Sequence, residues 1–333
     1  EKNKDLESFI RKILPNCIPI SLFEEYEEIL KLIKNYPKRP KMIISATKFH
    51  SNDLFKFYSA NKLEEGTRII SGQHGNGSFL LPESKYSPDY RFTEYYYTWG
   101  NKTKKNFIPL FNVNIVNKRK IKSNKKKLVI FATSYGFNQM LYDKQALNYD
   151  NVNFIKELLS VLPNDIKSEL ILKKHNLYSL DCHKFLDKEY NKLDIKNTSG
   201  ESFSDMLRQS KLNLYLYNST GILDCLALNR PVIFYLKKPS NLFSDEFGDK
   251  LKILKDANIF FDNTEKLKDH IIKVWNNVEK WWKNPFIQKN IASFNQNFNT
   301  NYDKKLFNNF CLHLNNLKTN SSNDQPDKIY PLW

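Results

Sequence analysis

Cysteine is sparse in this chain, and the four present stand far apart. Cys17, Cys182, Cys225 and Cys311 show neither metal-type spacing nor a disulfide framework, which fits a reducing cytoplasm. No apolar run approaches the roughly 20 residues that cross a bilayer, and no signal peptide is visible. The first residue is Glu1, not Met, so a leader lost from the start is not excluded. No internal sequence repeat is apparent. Arginine is greatly outnumbered by lysine, and this bears on the net charge of +16. Such an excess invites a nucleic-acid reading, yet readers of bases and phosphates favour arginine for its planar fork. Lysine and asparagine are spread along the whole chain, as an AT-rich genome would produce, so no nucleic-acid partner is expected. A cytoplasmic enzyme beside anionic lipid, or working on anionic sugars, would carry the same excess. Peripheral contact with the anionic inner face of a membrane is therefore an expectation. Glycine is scarce too, at nine of 333 residues, so any cluster of it is informative.

What is present describes a globular protein. A hydrophobic fraction of 41% with 14% aromatics excludes disorder, and the length suffices for two domains. The chain is organised around Leu212 to Tyr235, LNLYLYNSTGILDCLALNRPVIFY. An apolar run to Tyr217 predicts a buried strand, and Asn218-Ser219-Thr220-Gly221 a polar turn. Ile222 to Leu228 predicts a helix, Asn229-Arg230-Pro231 a break, and Val232 to Tyr235 a second strand. This is one βαβ unit. Its turn brings hydroxyls and free backbone N–H groups to a helix N-terminus, where a phosphate is favoured. The same residues also serve as a helix cap, and both readings stand. Asp224, expected in the first helical turn, is placed to accept from ribose hydroxyls or to offset the helix dipole.

The second focus is Gly72-Gln73-His74-Gly75-Asn76-Gly77-Ser78, after a strand over Arg68 to Ser71. Three glycines within six residues surround a glutamine, a histidine and an asparagine. Backbone N–H groups and an imidazole are thus expected at a strand's carboxyl edge, where open α/β sheets bind ligands. A tight turn with a satisfied structural histidine is the plainer alternative. No second ligand stands at metal spacing, so neither a metal nor another cofactor is expected.

Around these foci, strands and helices alternate. Met42 to Ala46 and Tyr95 to Trp99 predict strands, as does Pro109 to Val116. A helix from Leu54 to Glu65 follows the capping stretch His50-Ser51-Asn52-Asp53 and ends at Gly66. Prolines 15 and 19 are expected to break the first helix near Leu14. The basic run Lys118 to Lys127 reads as a solvated interdomain linker, after which Leu128 to Thr133 restarts the pattern. Glu169 to Lys174 predicts a strand ending in Lys173-Lys174-His175, and a single helix is expected from Asn263 to Lys283. The fold class expected is α/β, with two Rossmann-like domains facing across a cleft and C-terminal helices, a GT-B-like arrangement. The limits expected are 1–122 for the acceptor-side domain, 123–283 for the nucleotide-sugar domain, and 284–333 for helices packing back and a polar tail.

The combination of GQHGNGSF (Gly72 to Phe79), YTWG (Tyr97 to Gly100), NSTGILDCLALNRPVIFY (Asn218 to Tyr235) and WWKNPFIQKNIASFNQNF (Trp281 to Phe298) resembles the LIC12162-type transferases. That family is associated with surface carbohydrate biosynthesis. It is distantly similar to bacterial transferases of Kdo and other nonulosonic acids, which use CMP-activated sugars. Asp224 stands where the family commonly has Glu, and an Arg is usual near Lys173.

The resemblance implies a metal-independent glycosyltransferase. It would take a nucleotide-sugar donor, CMP-linked by analogy, and a glycan or glycolipid acceptor. Asn218, Ser219, Thr220 and Gly221 would hold the phosphate, and Asp224 the ribose. Lys173 and His175 would neutralise the phosphate or a sugar carboxylate. Gln73, His74, Gly75, Asn76 and Gly77 would meet the sugar and acceptor. His74 or Asp53 would be the catalytic base, Asp53 being equally a helix cap. Two other classes remain: a CDP-polyol phosphotransferase using the same turn, and a non-catalytic basic protein for RNA or anionic polysaccharide.

Overall fold

Short apolar segments between helix caps build the first part of the chain. Helices α1 (Lys2–Cys17) and α2 (Tyr26–Ile33) precede strand β1 (Met42–Ile44). Helices α3 (Lys48–Ser51) and α4 (Asp53–Glu64) then lead to β2 (Arg68–Gly72). Asn52, not Asp53, caps α4: its side chain accepts from Phe55 N at 2.8 Å. Gly66 ends the helix at φ +86°, a left-handed position that favours glycine. The expected break near Leu14 does not occur. Pro15 sits in the last turn of α1, where it forfeits a single hydrogen bond to the carbonyl of Arg11. Leu6, Phe9, Ile10, Ile13 and Leu14 form an apolar stripe on α1, and all five are exposed.

The computed structural model describes residues 2–19, 22, 24–75, 88–100, 102, 104–116, 126–133, 148–175, 188, 191–193, 196–197, 201–236 and 245–319. Contacts divide the chain into two units. One comprises Glu1–Gly72, Pro88–Tyr96 and Leu312–Trp333, the other Gln73–Ser87 and Tyr97–Cys311. Helix α5 (Pro88–Arg91) and strands β3 (Tyr95–Thr98) and β4 (Phe107–Pro109) complete a sheet of order β1-β2-β3-β4. β1 and β2 run parallel with Ile43 opposite Ile69. Both isoleucines join Ile29, Ile33, Phe49 and Tyr58 in the core of the first unit. The strand expected over Pro109 to Val116 does not form beyond Pro109, where β4 ends. Asn112 instead accepts from Asn114 N, and a 3-10 turn follows over Val113–Ile115.

The second unit is a doubly wound sheet. Strands β5 (Lys127–Thr133), β6 (Leu170–His175), β7 (Lys196–Asn197), β8 (Ser210–Tyr215), β9 (Val232–Tyr235) and β10 (Phe260–Phe261) pair in parallel, in the order β10-β9-β8-β5-β6-β7. The inner strands carry buried apolar residues on both faces, so helices must cover both. Val129, Phe131, Ile171, Tyr215, Val232 and Phe234 point to one face. Leu128, Ile130, Leu172, Leu212, Leu214 and Ile233 point to the other. That is why these strands read as unbroken apolar runs. Chain direction across the sheet reverses between β5 and β8, the switch point where such sheets bind ligands at their carboxyl edge.

Helices α6 (Asn148–Val161), α7 (Asn164–Lys167), α8 (Phe203–Gln209), α9 (Thr220–Ala227), α10 (Asp245–Asp256), α11 (Thr264–Trp275), α12 (Val278–Trp282), α13 (Pro285–Phe298) and α14 (Lys304–Thr319) complete the described helices. α9 ends as its sequence demands. Asn229 takes φ +51°, donating to Leu226 O at 3.2 Å, while Arg230 N reaches Cys225 O at 2.8 Å. Pro231 then forbids further helix. Trp282 Nε1 donates to Asn229 Oδ1 at 2.6 Å, so the NRP break and the paired tryptophans meet physically. The single helix expected to Lys283 is broken after Trp275, and α12 begins only at Val278. α14 lies on β3, with Phe310 edge-on to Tyr97 at 4.8 Å and His313 edge-on to Tyr95 at 4.7 Å. Among the described residues no helix is long and apolar enough to cross a membrane.

His270 on α11 has its ring 4.9 Å from Trp281 and 5.2 Å from Phe261. Burial, with Lys273 adding to it, pulls its pKa down to about 4. Because the unfolded imidazole titrates near 6.5, the unfolded chain takes up the proton first as pH falls. Stability should therefore drop between pH 6.5 and 4 and level off below, by at most about 3 kcal/mol. His270→Phe should flatten this part of the curve in melting experiments at pH 7, 5.5 and 4. Parallel wild-type and variant profiles would contradict it.

Candidate active site

Gln73–Gly75 of one glycine-bearing turn and Ser219–Gly221 of the other belong to the same unit, and they touch. β8 ends at Tyr215, at the switch point of the parallel sheet, and Ser219 caps α9. Its hydroxyl accepts from Gly221 N at 3.2 Å, and its backbone is extended (φ −118°, ψ 141°), as that of an N-cap residue is. Beneath the turn lies Tyr215, 1% exposed and stacked on Phe131 at 4.3 Å with 3° between ring planes. A Cβ on Gly221 would stand 2.3 Å from the Tyr215 hydroxyl, so only glycine fits. Burial pushes that hydroxyl well above its usual pKa, with Cys225 contributing, and it stays protonated.

The other turn leaves β2 at Gly72. Gln73 is 6% exposed, and its side-chain amide is engaged at both ends. Oε1 accepts from Trp99 N at 2.7 Å, and Nε2 donates to Gly75 O at 3.1 Å. Gln73 thus fixes the shape of the turn. Its backbone N–H donates to Tyr97 O at 2.7 Å, which holds the turn to β3. Gly75 is buried against α9: a Cβ there would come within 2.4 Å of Thr220 Oγ1. His74, between Gln73 and Gly75, is exposed. A buried turn therefore presents one outward imidazole beside the N-terminus of α9.

Lys173 occupies β6 in register with Phe131 of β5, which in turn pairs with Tyr215 of β8. Paired residues in a parallel sheet share a face, so Lys173 stands on the Tyr215 side. Its ammonium donates to Glu201 O at 2.5 Å. Burial lowers its pKa, opposed by Glu201 and Asp205. His175 pairs with Thr133 two residues nearer the carboxyl edge.

Asp224 corrects an expectation. α9 starts at Thr220, so Asp224 lies in the second turn and not the first, where it would serve the dipole. It is also buried, at 3% exposed. Its carboxyl Oδ1 accepts from Asn112 Nδ2 at 3.0 Å. Asp53 falls in the other unit, exposed in the first turn of α4 and paired with Lys56 at 2.9 Å. Asn76, Gly77, the side chain of His175 and most of the basic run Lys118 to Lys127 lie outside the described residues. Asn112, Asn295 and Asn299 carry no distinguishing sequence signal: asparagine is scattered throughout the chain, Asn112 and Asn299 lie outside every motif, and Asn295 is one of several asparagines in the Trp281 to Phe298 segment. Among the described residues no three His, Cys, Asp or Glu side chains gather as a metal site.

Residues 1–307 match the model of the LIC12162 family transferases. No curated protein matches the chain in sequence. Among solved structures, an α,α-trehalose-phosphate synthase (UDP-forming) from Burkholderia vietnamiensis aligns with a TM-score of 0.52 at 9% identity, covering 89% of this chain and 80% of its own. A protein described as a UDP-N-acetylglucosamine 2-epimerase from Listeria monocytogenes aligns with a TM-score of 0.52 at 10% identity, covering 90% and 78%. At such identities the likeness establishes the fold alone, and it is the GT-B-like α/β fold expected.

Proposed function

Because the chain belongs to the LIC12162 family of transferases, we propose that it moves a glycosyl group from a nucleotide-activated donor to a surface polysaccharide or glycolipid. The donor we favour is a CMP-linked, Kdo-like sugar acid. The observation that carries this reading is the meeting of Gly75 with Thr220 at the sheet's switch point. A phosphate-type turn and a histidine-bearing turn are thereby placed side by side, as a donor and its point of attack require.

In this reading the N–H groups of α9 around Ser219, Thr220 and Gly221 receive the donor phosphate, and Lys173 adds a positive charge from the same sheet face. The bond from the anomeric carbon to phosphate oxygen breaks, and the nucleotide leaves with that oxygen. The acceptor hydroxyl oxygen bonds to the anomeric carbon and passes its proton to His74. The acidic sugar of a CMP donor suits Lys173, His175 and the cationic chain as a whole. A thermal-shift screen against CMP, UDP, GDP and their sugars tests the donor. Product analysis separates the CDP-polyol alternative, which would leave phosphate on the acceptor. Stabilisation by none of these ligands would overturn the reading.

The reading also includes peripheral contact with anionic lipid through α1. Its exposed stripe of Leu6, Phe9, Ile10, Ile13 and Leu14 is backed by Arg11 and Lys12. Sedimentation with phosphatidylglycerol vesicles should exceed that with phosphatidylcholine, and Phe9→Ser with Ile13→Ser should abolish the difference. Equal sedimentation with both lipids would remove the lipid contact from the account.

A further inference from the structure

A closed ring of contacts runs through the second unit and links both turns. Trp99 N donates to Gln73 Oε1 (2.7 Å), Thr300 N to Trp99 O (2.6 Å) and Asn112 N to Thr300 O (2.9 Å). Asn112 Nδ2 then donates to Asp224 Oδ1 (3.0 Å) inside α9. The first residue of α9, Thr220, lies against Gly75, whose carbonyl returns the ring to Gln73 Nε2 (3.1 Å).

The side of α9 that carries Asp224 is gripped by further amides. Asn112 Nδ2 also donates to Asn299 Oδ1 at 3.0 Å. Asn299 Nδ2 donates to Leu223 O at 2.6 Å, and Asn295 Nδ2 to Leu226 O at 3.2 Å. Asn112 and Asn299 are fully buried, and Asp224 and Asn295 nearly so. Polar side chains in such a place are costly unless every partner is in position. Sliding α9 along its axis would strand several of them at once. The network therefore defines one position for the helix, where apolar packing would tolerate several.

We propose that Asn112, acting through Asp224, is a positioning residue of the donor site. It sets where the N-terminus of α9 stands against the Gly75 turn, and so governs donor affinity without touching the donor. Asp224 is then a scaffold for the turn, and the expected ribose contact becomes the competing account. The proposal rests on the donor reading given above, and its test is arranged so that the two fail separately.

Three variants that keep side-chain volume make the test: N112D, which sets two acceptors face to face; D224N, which keeps an acceptor toward Asn112; and the swap N112D/D224N, which restores a donor–acceptor pair. Calorimetry with CMP and UDP should show N112D weakening affinity about tenfold or more, D224N changing it less than about threefold, and the swap recovering most of the loss. Hydrogen exchange of the unliganded proteins should rise in α9 for N112D, stay unchanged in β9, and return in the swap. Full affinity in N112D with affinity lost in D224N would overturn the proposal and make Asp224 a ligand contact. If N112D fails to fold, D224N and the swap decide by the same comparison. A wild-type protein that binds neither nucleotide sinks the donor reading, and the exchange data still judge the positioning role.

Discussion

Replacing His74 with alanine should lower turnover by about 10²–10⁴-fold while leaving donor affinity nearly unchanged, if the imidazole takes the acceptor's proton. The expectation rests on placement. His74 is exposed between two buried neighbours, Gln73 and Gly75, whose own groups are committed to holding the turn. The imidazole is therefore the side chain of the described turn left facing outward, while the donor phosphate is assigned to the N–H groups of α9. His74→Gln is the sharper variant, because it keeps a polar side chain and removes proton transfer. Full turnover in that variant would demote His74 to a hydrogen-bonding residue and leave Asp53 as the candidate base. Loss of fold in both variants would make it structural.

Gly221→Ala should destabilise the protein by about 1–3 kcal/mol and weaken nucleotide binding with it. The added Cβ would stand 2.3 Å from the Tyr215 hydroxyl oxygen, 2.8 Å from Cζ and 2.9 Å from Cε1. Tyr215 cannot withdraw, because it is 1% exposed and stacked on Phe131. Either the helix start or the ring must shift, and the helix start is the proposed phosphate site. Tyr215→Phe should rescue only in part, since the two ring carbons remain in the way. Gly75→Ala presents a milder problem: the obstacle is Thr220 Oγ1, which can rotate, and Thr220→Ala removes it. Urea unfolding with calorimetric nucleotide titration reads both effects. A Gly221→Ala protein as stable as wild type would contradict the packing described.

The second unit was legible in the sequence because its strands are buried on both faces. Leu212 to Tyr215 and Val232 to Tyr235 have no polar face to blur the pattern, apart from Asn213, whose amide donates to Pro231 O at 2.8 Å. The end of α9 was legible because Asn229 and Pro231 allow little else. Less was legible where a single residue decides. The strand predicted over Pro109 to Val116 is met only at Pro109, the last residue of β4, because Asn112 starts a 3-10 turn, and the break after Trp275 divides a helix that apolar spacing alone would continue. β10, two residues long, is too short to leave a periodic signal. Of the site, the turn residues were readable as chemistry, yet their engagement was not. Gln73 points its amide into its own turn, and Asp224 points its carboxyl at a residue 112 positions earlier. Such pairings depend on tertiary register, which no local pattern carries.

If the turn at Gly75 and the turn at Ser219–Gly221 form one donor site, a bound nucleotide must protect both. Hydrogen exchange of the wild-type protein, with and without the nucleotide that stabilises it most, should show slowed exchange in peptides covering both Gly72–Gly75 and Ser219–Leu223, with the α4 peptide around Asp53 unchanged. A nucleotide that binds yet protects neither turn, or only one of them, would contradict it.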